Sequence, residues 1–511
     1  MKKSIVVLSA IAALSTTSFA ADVSNEAMLK QIEMLKAQIA ALESKFEKTE
    51  KAVSDERFTK LEKQVQSNKN LALGAKKQSA SDNIKWDIDF RTQIDNISYK
   101  TTDGSNPKNN ALLTNRLWLG AAYAPNDNTV FKGKLSYNKV WGDTANHSQS
   151  NTGMGVGYAD FDWVTNENAV DNEMKVKEAY WLYKDNTIGE AQIPWTVSVG
   201  RRPSTDGLPI NMRNMQKANS PLSHVVDVEF DGFSAKFDLE KVTGATGSWF
   251  KICGGRGLSN ANPRFTMNGT DYARNENLNV DVDMLGFIAV PYDDGQYSVH
   301  LNYAHAWNLI GYDGMQMGQY NAAPKTTPSE IMDAYAYLQF KDVGDMDYAT
   351  ILLKAYGIGD GISDYLDDTT VFASYAMSKT NPNNSNDLYG MLGSGESETG
   401  HSYWIGINAP CPISPNSARI GVEWNKGSKY WRSMTYGEDT FAGSKIATRG
   451  TAWEIYRNQK INNALSWGMS YTHMDYDYSG SNSFFGYEGN PDNPMYVTEA
   501  TDIKAYVRYK F

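Results

Sequence analysis

From residue 84 onward, apolar and polar residues alternate with a period of two. Ile84, Trp86, Ile88 and Phe90 alternate with lysine and aspartate residues, and similar segments recur to the end of the chain. Because successive side chains of a strand point to opposite faces of a sheet, each segment predicts a strand with one apolar and one polar face. Short turns such as 125–128 join neighbouring segments, which is the hairpin pattern.

Residues 83–511 accommodate about 16 to 18 such strands, including a less regular one at 334–340. Longer insertions rich in Asn, Gly, Asp and Ser separate some of them, at 142–173, 204–224, 254–277, 312–330, 380–400 and 478–495. Short turns at one rim and long loops at the other are typical of an all-β transmembrane barrel of antiparallel strands. A barrel of this size leaves room for an aqueous channel, and one or two loops are expected to fold into it.

The last strand has the clearest alternation. Ile503, Val507, Tyr509 and Phe511 share an apolar face, and Asp502, Lys504, Arg508 and Lys510 lie on the other. This segment resembles the terminal strand of Gram-negative outer-membrane barrels, which pairs with the first strand and is read by the outer-membrane assembly machinery. The alternative is the edge strand of a soluble sheet, but an open apolar edge promotes aggregation and closure removes it.

The amino-terminal part has a different organisation. Residues 1–20 combine two lysines, a short apolar core and small residues, which predicts a secretory signal cleaved between Ala20 and Ala21. Residues 21–67 carry apolar positions at heptad spacing, and residues 68–82 lose the period and are interpreted as a linker. The barrel is therefore predicted to follow a short α-helical coiled coil in the periplasm.

The heptad core of that helix consists of Ile32, Leu35, Ile39, Leu42 and Phe46. Such a seam needs partner helices. The alternative is one amphipathic helix that lies against another periplasmic surface. Several porin families carry a similar amino-terminal coiled coil that gathers three barrels, and this resemblance implies a homotrimer.

Composition agrees with a barrel, and the resemblance of the last strand implies that this barrel lies in the outer membrane, in contact with lipid and lipopolysaccharide. The 511 residues contain 30 Tyr, 13 Trp and 18 Phe, and outside the first twenty residues there is no apolar run long enough for a spanning helix. The net charge of −10 gives no support to nucleic-acid binding. Cys253 and Cys411 either form one disulfide or remain free thiols.

The sequence carries no recognisable catalytic, cofactor or metal-binding motif, so we expect neither an enzyme nor a cofactor. Seven tryptophans lie at strand ends and form either an interfacial girdle, which we favour, or a track for carbohydrate stacking: Trp86, Trp118, Trp195, Trp307, Trp424, Trp431 and Trp467. Trp118 is an exception because it shares the polar face of Arg116.

Alternate residues of each strand face the interior, and among the residues assigned to that face cations outnumber anions. The candidate pore-lining residues are Arg91, Arg116, Lys132, Lys134, Arg202 and Arg419. A basic constriction attracts anions. The alternative is that these charges pair with one another or lie near the rims. Arg202 is the best single candidate, whereas Arg201 has the opposite parity.

Three segments carry a closer resemblance: NIKWDIDFRT from Asn83, LLTNRLWLGAAYAPNDNTVFKGKLSYNK from Leu112, and GRRPSTDGLP from Gly200. Together with the coiled coil they resemble a family of Gram-negative outer-membrane proteins known only as a domain of unknown function. The resemblance implies a location and an architecture, and it brings no catalytic residue and no substrate.

The leading hypothesis is therefore a porin-like channel for passive diffusion of small solutes, with a preference for anions. The alternative hypothesis is a structural protein, in which a plugged barrel is tethered to the cell wall through its coiled coil.

Overall fold

The computed structural model describes residues 36–37, 84–142, 174–258, 281–358, 361–435 and 440–511. The chain divides into two compact units, Met1–Trp86 with Ala121–Val130 and Asp87–Gly120 with Phe131–Phe511. The predicted signal segment 1–20 and linker 68–82 lie outside the described residues, and so does the coiled coil except for Lys36 and Ala37, which are helical.

Sixteen antiparallel strands form one closed barrel in which each strand pairs with its neighbours in the sequence and the last pairs with the first. This confirms the predicted fold class. The strands are β1 Lys85–Thr101, β2 Lys108–Tyr123, β3 Thr129–Val140, β4 Lys175–Asp185, β5 Trp195–Arg202, β6 Phe230–Asp238, β7 Trp249–Leu258, β8 Val282–Asp293, β9 Tyr297–Gly311, β10 Lys341–Tyr356, β11 Thr370–Pro382, β12 Thr399–Pro410, β13 Ala418–Gly427, β14 Gly450–Lys460, β15 Leu465–Tyr476 and β16 Val497–Lys510.

The described helices are short and lie in the connections: α1 Ile210–Arg213, α2 Glu240–Thr243, α3 Gly314–Ala322, α4 Pro328–Tyr335 and α5 Asp364–Asp367, with 3₁₀ turns at Asp387–Tyr389 and Tyr487–Gly489. Within the described residues, no helix has the length and apolar character needed to cross a bilayer.

The strand predicted at 334–340 is wrong. A capping box of Thr327 and Glu330, with Pro328 in the first turn, begins α4, which runs to Tyr335. This arrangement satisfies the free N–H groups at the start of a helix. The following strand, β10, begins only at Lys341.

The alternation in the sequence separates the two faces of the wall. In β16, Ile503 and Val507 are 48% and 53% exposed, whereas Asp502 and Arg508, which are adjacent to them in the sequence, are buried. Other strands repeat this pattern, with exposed apolar residues that include Phe90, Ile94, Leu135, Val199, Phe233, Ile252, Leu285, Ile351, Ile405, Ile455 and Met469. A polar interior and an apolar exterior are the arrangement expected of a barrel in lipid.

The seam between β1 and β16 closes the barrel. Phe90 lies opposite Tyr509 in the antiparallel register. At the end of the chain, the Phe511 N–H donates to the Ile88 carbonyl oxygen at 2.9 Å, and the Ile88 N–H donates to the Phe511 carbonyl oxygen at 3.0 Å. Backbone groups that would otherwise form two open sheet edges are thereby paired.

The connections differ in length between the two ends of the barrel. At one end they are mostly short, as at 294–296 and 461–464. At the other end, four longer loops pack against inward-facing side chains: 203–229, 383–398, 428–449 and 477–496. The first, second and fourth overlap predicted insertions, whereas no insertion was predicted at 428–449.

Candidate functional site

Residues 203–229, which we call the inward loop, connect β5 to β6 and run through the interior of the barrel. The loop begins after GRR at the end of β5, where Gly200 has a φ of +125°. A Cβ atom there would lie 2.3 Å from the Ala179 carbonyl oxygen, so the position requires glycine. The loop contains the short helix α1, and its contacts reach strands on the far side of the interior.

Asp89 on β1 is the centre of the contacts on that far side. The Arg508 Nε donates to the Asp89 Oδ1 at 2.7 Å, and the Arg508 Nη2 donates to the other carboxylate oxygen. The Arg116 Nη2 lies 3.7 Å from Oδ2, and Gln216 of the inward loop donates to Oδ2 at 2.8 Å. One buried carboxylate therefore joins β1, β2, β16 and the inward loop.

The backbone of the inward loop is also attached to β16. The Arg508 Nη1 donates to the Asn214 carbonyl oxygen at 2.6 Å. The Lys510 Nζ donates to the Gln216 Oε1 at 2.6 Å and to the Met215 carbonyl oxygen at 3.3 Å. The charged residues of the closing strand therefore hold the tip of the loop across the interior.

A buried ionic cluster fixes α1 to β14. The Arg213 Nη1 donates to the Glu454 Oε2 at 2.9 Å. Lys445, which is fully buried, bonds both Glu423 and Glu454. The Trp404 Nε1 donates to the Glu423 Oε2 at 3.1 Å. Two cations and two carboxylates balance one another, which is the condition under which charges are tolerated in a protein interior.

His224 attaches the return part of the inward loop to β11 and β12. Its ring nitrogens lie 2.8 Å from the Ser374 Oγ and 2.9 Å from the Ser402 Oγ. The rings of Trp404 and Trp431 pack against it, each with a centroid 5.6 Å away. Burial lowers the pKa of His224 to about 3, so the ring is neutral and acts as a hydrogen-bonding bridge.

The inward loop borders two interior regions of different character. On one side, a cluster of buried apolar side chains joins the loops to the inward faces of β8–β11. We call this region the apolar half. Its members are Val225, Val226, Val228, Val282, Ala304, Ala306, Leu309, Ile310, Val343, Met346, Tyr348, Ala376, Met391, Leu392, Trp431, Met434 and Phe485. All of them are almost completely removed from water, so the packed cluster itself leaves no path for solutes.

On the other side, the inward faces of β14–β16 and β1–β4 form what we call the charged half. Its ionic residues are Asp89, Asp95, Arg91, Arg116, Lys134, Glu178, Glu454, Asp502, Lys504 and Arg508. Towards the loop end the same wall also carries a small apolar cluster around Met474. Water or a polar solute can be accommodated only where such polar groups line the interior.

The loops of the apolar half hold one another. The Arg449 Nη1 donates to the carbonyl oxygens of Ser479 and Gly489 at 2.8 and 2.7 Å, and its Nε donates to the Trp431 carbonyl oxygen at 2.8 Å. Trp431 is fully buried and its Nε1 donates to the Ile446 carbonyl oxygen at 2.8 Å. The prediction that placed Trp431 in an interfacial girdle is therefore wrong, because this residue belongs to a loop inside the barrel.

Glu488 connects the loop 477–496 to the segment before α3. Its Oε2 accepts from the Tyr312 N–H at 3.0 Å, and its Oε1 accepts from the Gly486 N–H at 3.4 Å. Burial raises the pKa of Glu488 to about 7. This carboxyl group therefore changes charge near neutral pH.

A row of cations runs along the charged side of the inward loop, and we call it the basic stripe. It consists of Lys132 on β3, Lys217 in the loop, Lys236 on β6, Lys251 on β7 and Arg202 on β5. Each of these residues is an electrostatic neighbour of the next. Glu178 acts on Lys132 and Arg202, and Asp238 acts on Lys236. Glu178 is also paired with Lys134.

The predicted pore-lining residues fall into three groups. Arg91, Arg116 and Lys134 lie in the charged half, where the Arg116 guanidinium stacks 3.6 Å from the Trp118 ring centroid. Trp118 is buried and points inward with Arg116, as its parity predicts. Arg116 and Lys134 are each within ion-pair distance of a carboxylate, Asp89 and Glu178, as the alternative interpretation proposed.

Lys132 and Arg202 belong to the basic stripe. Arg419 lies apart from both, because its Nη2 donates to the carbonyl oxygens of Asp368 and Asn408, each at 2.8 Å. Arg201, with the opposite parity, bonds Glu229 and Asp231.

Sequence reasoning missed the residues that fill the interior. Lys445 and Arg449 lie in a stretch without regular alternation, so nothing marked them as buried. Val225, Val226 and Val228 gave a signal that could have been used, since apolar residues so close together in an insertion are unusual for a solvated loop.

One group of side chains has the composition of a metal site. Ligand atoms of His473, Asp475 and Glu499 lie within 4.8 Å of one another. The group is already internally paired, because the His473 Nε2 lies 3.2 Å from the Asp475 Oδ1 and the Lys100 Nζ lies 2.6 Å from the Glu499 Oε2. Cys253 and Cys411 are both free thiols.

Comparison with known proteins gives one family. A family model described as "Protein of unknown function (DUF3373)" matches residues 106–511. The search of curated protein sequences gave no match.

Several solved structures are similar in fold. OprB of Pseudomonas putida, at high pH, is 11% identical over 84% of this chain and 94% of its own, with a TM-score of 0.43. OmpF of Salmonella typhi in complex with daunomycin is 10% identical over 84% and 98%, with a TM-score of 0.42. In-vitro folded OmpT of Vibrio cholerae is 13% identical over 83% and 98%, with a TM-score of 0.39.

Proposed function

Because the chain belongs to the DUF3373 family, whose description gives no activity, we propose a function from the interior of its own barrel. The protein is a porin-like channel of the outer membrane that lets small solutes diffuse passively, with a preference for anions. No covalent step is involved, and selection depends on width and on the charges along the path.

The exterior of the barrel supports a membrane location. Large apolar side chains such as Phe90, Ile351, Ile455 and Val507 are exposed on the outward faces of the strands. In water such a surface would promote association, whereas in a bilayer it is solvated by acyl chains.

The observation that carries the proposal is the basic stripe beside the inward loop. The loop is attached to β16 by Arg508 and Lys510 and to β14 by Arg213, so it narrows the interior at a fixed position. The stripe brings five cations together, and a low-dielectric wall strengthens their field. A small anion that passes the loop is therefore favoured over a cation of the same size.

Reconstitution in planar bilayers tests the channel and its selectivity. Under a KCl gradient we expect stepwise conductance and a reversal potential on the anion side. The double substitution Lys132→Gln and Lys236→Gln removes two cations of the stripe and should shift the anion to cation permeability ratio at least twofold towards cations.

The matched control is Lys379→Gln. Lys379 lies on β11 between the inward-facing Ser378 and Thr380, so it points outward and is exposed. This variant should keep the wild-type reversal potential. Equal reversal potentials for all three proteins would contradict the proposed anion preference. Absence of any conductance would contradict the proposed channel function.

A second candidate function is a plugged barrel with a structural role. The observation that favours it is the extent of the filling, since Arg432, Lys445 and Arg449 of the loop 428–449 are almost fully buried inside the barrel. In that case the barrel anchors the predicted coiled coil 21–67 to the membrane and conducts nothing.

Deletion of residues 21–80 separates these two functions. A channel keeps its conductance without the segment, whereas a tether loses its attachment to the cell wall, which cofractionation with peptidoglycan measures. The same deletion tests the homotrimer, because loss of the predicted coiled coil should convert trimers to monomers in native mass measurements.

A further inference from the structure

A cavity lies between the inward loop and the wall formed by β6–β9. Its volume is about 60 Å³, and it is only partly enclosed. A single water needs roughly 10 to 15 Å³ by the same kind of measure, so the space holds a small solute and not only an isolated water. Cavity-lining residues include Arg202, Ser220, Val226, Cys253 and Asn302.

Three glycines of the wall, Gly232, Gly255 and Gly286, leave room for this cavity. A Cβ atom at Gly232 would lie 2.0 Å from the Gly254 carbonyl oxygen, and one at Gly286 would lie 2.3 Å from the Tyr303 carbonyl oxygen. Contacts this short exclude any larger residue. The register places Gly232 of β6 opposite Gly255 of β7, so the surface without side chains extends over both strands.

The charges at the cavity are positive. Arg202 lines it, and the buried Arg202 Nε has no hydrogen-bond partner. The Lys251 Nζ donates to the Oγ of the cavity-lining Ser220 at 2.6 Å. Among the described residues, no carboxylate lies within ion-pair distance of Arg202 or Lys251, although both are largely buried. A buried cation without a counter-charge is costly, and an anionic ligand removes that cost.

The remaining lining is mostly apolar. Val226 and Pro221 come from the inward loop, and Phe230 and Met284 come from the strands. Asn302 adds an amide that can donate to an oxygen of a ligand. A bare inorganic anion would use the cations but gain nothing from this apolar surface. A ligand with an anionic head and a short apolar tail would use both.

We propose that this cavity is a binding subsite for small aliphatic carboxylates, with Arg202 as the residue that receives the carboxylate. The planar guanidinium matches a carboxylate in geometry and charge, Lys251 adds a second positive charge nearby, and the short tail packs on Val226 and Met284. The inference deepens the proposed channel, because it names the solute class that the channel passes, and in that respect it rests on the channel function.

The free thiol of Cys253 provides a direct probe, because it lines the cavity and has Lys251 and Arg202 as charged neighbours. The experiment measures the rate at which the anionic thiol reagent MTSES modifies Cys253 in the purified full-length chain in detergent, with Cys411→Ser as background. Sodium butyrate is the probe ligand, and butylammonium chloride and sodium phosphate are added in parallel at the same ionic strength.

We expect saturating butyrate to slow modification at least fivefold, butylammonium to have no effect, and phosphate to protect less than butyrate. Arg202→Gln should abolish the protection, while modification by the neutral reagent methyl methanethiosulfonate stays within twofold of the parent. Arg457→Gln is the matched control, because Arg457 is an outward-facing arginine of β14 that contacts Ser414 and Gln459, and it should retain the protection.

Equal rates with and without butyrate, or equal protection in Arg202→Gln, would overturn the proposal. Protection by phosphate alone would identify a general anion site and reject the carboxylate class. If Cys253 reacts with neither reagent, calorimetric titration of butyrate into the wild type and Arg202→Gln decides the question by the presence or loss of binding.

The labelling is done in detergent and requires no conductance, so it separates this inference from the channel. If butyrate protects Cys253 but the protein does not conduct, the subsite is supported and the channel function is rejected. If the protein conducts anions but butyrate does not protect Cys253, the channel function is supported and the subsite is rejected.

Discussion

The apolar half and the charged half of the interior are built on the same kind of wall but have opposite properties. In the apolar half, inward residues such as Met346 and Tyr348 pack against Leu392 and Phe485 of the loops. In the charged half, the inward residues Asp89, Arg116 and Arg508 bond one another and the tip of the inward loop. The first half excludes water by dispersion contacts and area burial, and the second holds a fixed pattern of charge.

The difference shows how a wide barrel can be narrowed without a separate domain. Loops that carry apolar residues fill one side of the interior and are anchored there. The inward loop is then held from the other side by ionic groups, which leaves the basic stripe of Lys132, Lys217, Lys236, Lys251 and Arg202 along its charged side. If the barrel conducts as proposed, substitutions in the apolar half should change stability without changing ion preference, whereas substitutions in the charged half should change both.

The largest effect is expected in the charged half, for Asp89→Asn. This change leaves the buried guanidinium of Arg508 without its carboxylate and weakens the attachment of Gln216. We expect a loss of about 3 to 5 kcal/mol in the free energy of unfolding, measured by urea titration of the refolded barrel. The reversal potential should also move further towards the anion side, because a negative charge is removed.

The matched control is Asp231→Asn, at an exposed ion pair with Arg201 on the outer side of the wall. This variant should change the unfolding free energy by no more than about 1 kcal/mol and leave the reversal potential unchanged. Similar losses for the two variants would mean that the network around Asp89 is not buried as described.

An intermediate effect is expected in the apolar half, for Phe485→Ala. Phe485 is fully buried among the loops, and its N–H donates to the Ile310 carbonyl oxygen at 3.1 Å. Removal of the ring leaves a cavity and should cost about 3 kcal/mol in the same urea titration. Conductance should rise because the loops loosen, while the ion preference stays at the wild-type value.

The control for this prediction is Leu388→Ala, an exposed position in the loop 383–398, which should change neither quantity measurably. A shift in ion preference for Phe485→Ala equal to that of Asp89→Asn would contradict the separation of the two halves.

The smallest effect is expected for pH, through Glu488. Burial raises the pKa of this carboxyl to about 7, so between its unfolded value and pH 7 the folded state binds more protons than the unfolded state. Stability of the loop packing should therefore be greatest below about pH 4.5 and fall as the pH rises through 7. Nearby Arg432 and the N–H groups of Tyr312 and Gly486 favour the ionised form and oppose this trend.

Hydrogen exchange at the loops 312–340 and 477–496 across this pH range measures the effect. Glu488→Gln should abolish the additional opening above pH 7. An unchanged pH profile in that variant would assign the dependence to another group.

The alternation of apolar and polar residues was sufficient to predict the wall, because lipid on one side and a polar interior on the other impose a period of two. The same rule placed Trp118 on the inward face beside Arg116, where it is buried. It failed at 334–340, where the Thr327 and Glu330 capping box directs a helix instead. Local capping preferences outweighed a short and irregular alternation there.

The interior could not be predicted in the same way, because its loops follow no period. Val226 pairs with Met434 in an isolated bridge between two loops more than two hundred residues apart in the sequence. Lys445 is buried only because Glu423 and Glu454 approach it from different strands. Such contacts depend on the closed barrel, so they cannot be inferred from any single segment.

The attachment of the inward loop to the seam has a consequence for the order of assembly. Arg508 and Lys510 of β16 hold Asn214 and Gln216 of the inward loop, and Asp89 of β1 accepts hydrogen bonds from Arg508 and Gln216. A sheet in which β16 has not yet paired with β1 offers no partner for the tip of the loop. The inward loop is therefore fixed across the interior only when the barrel closes. Removal of β16 would therefore release the tip of the inward loop as well as open the barrel.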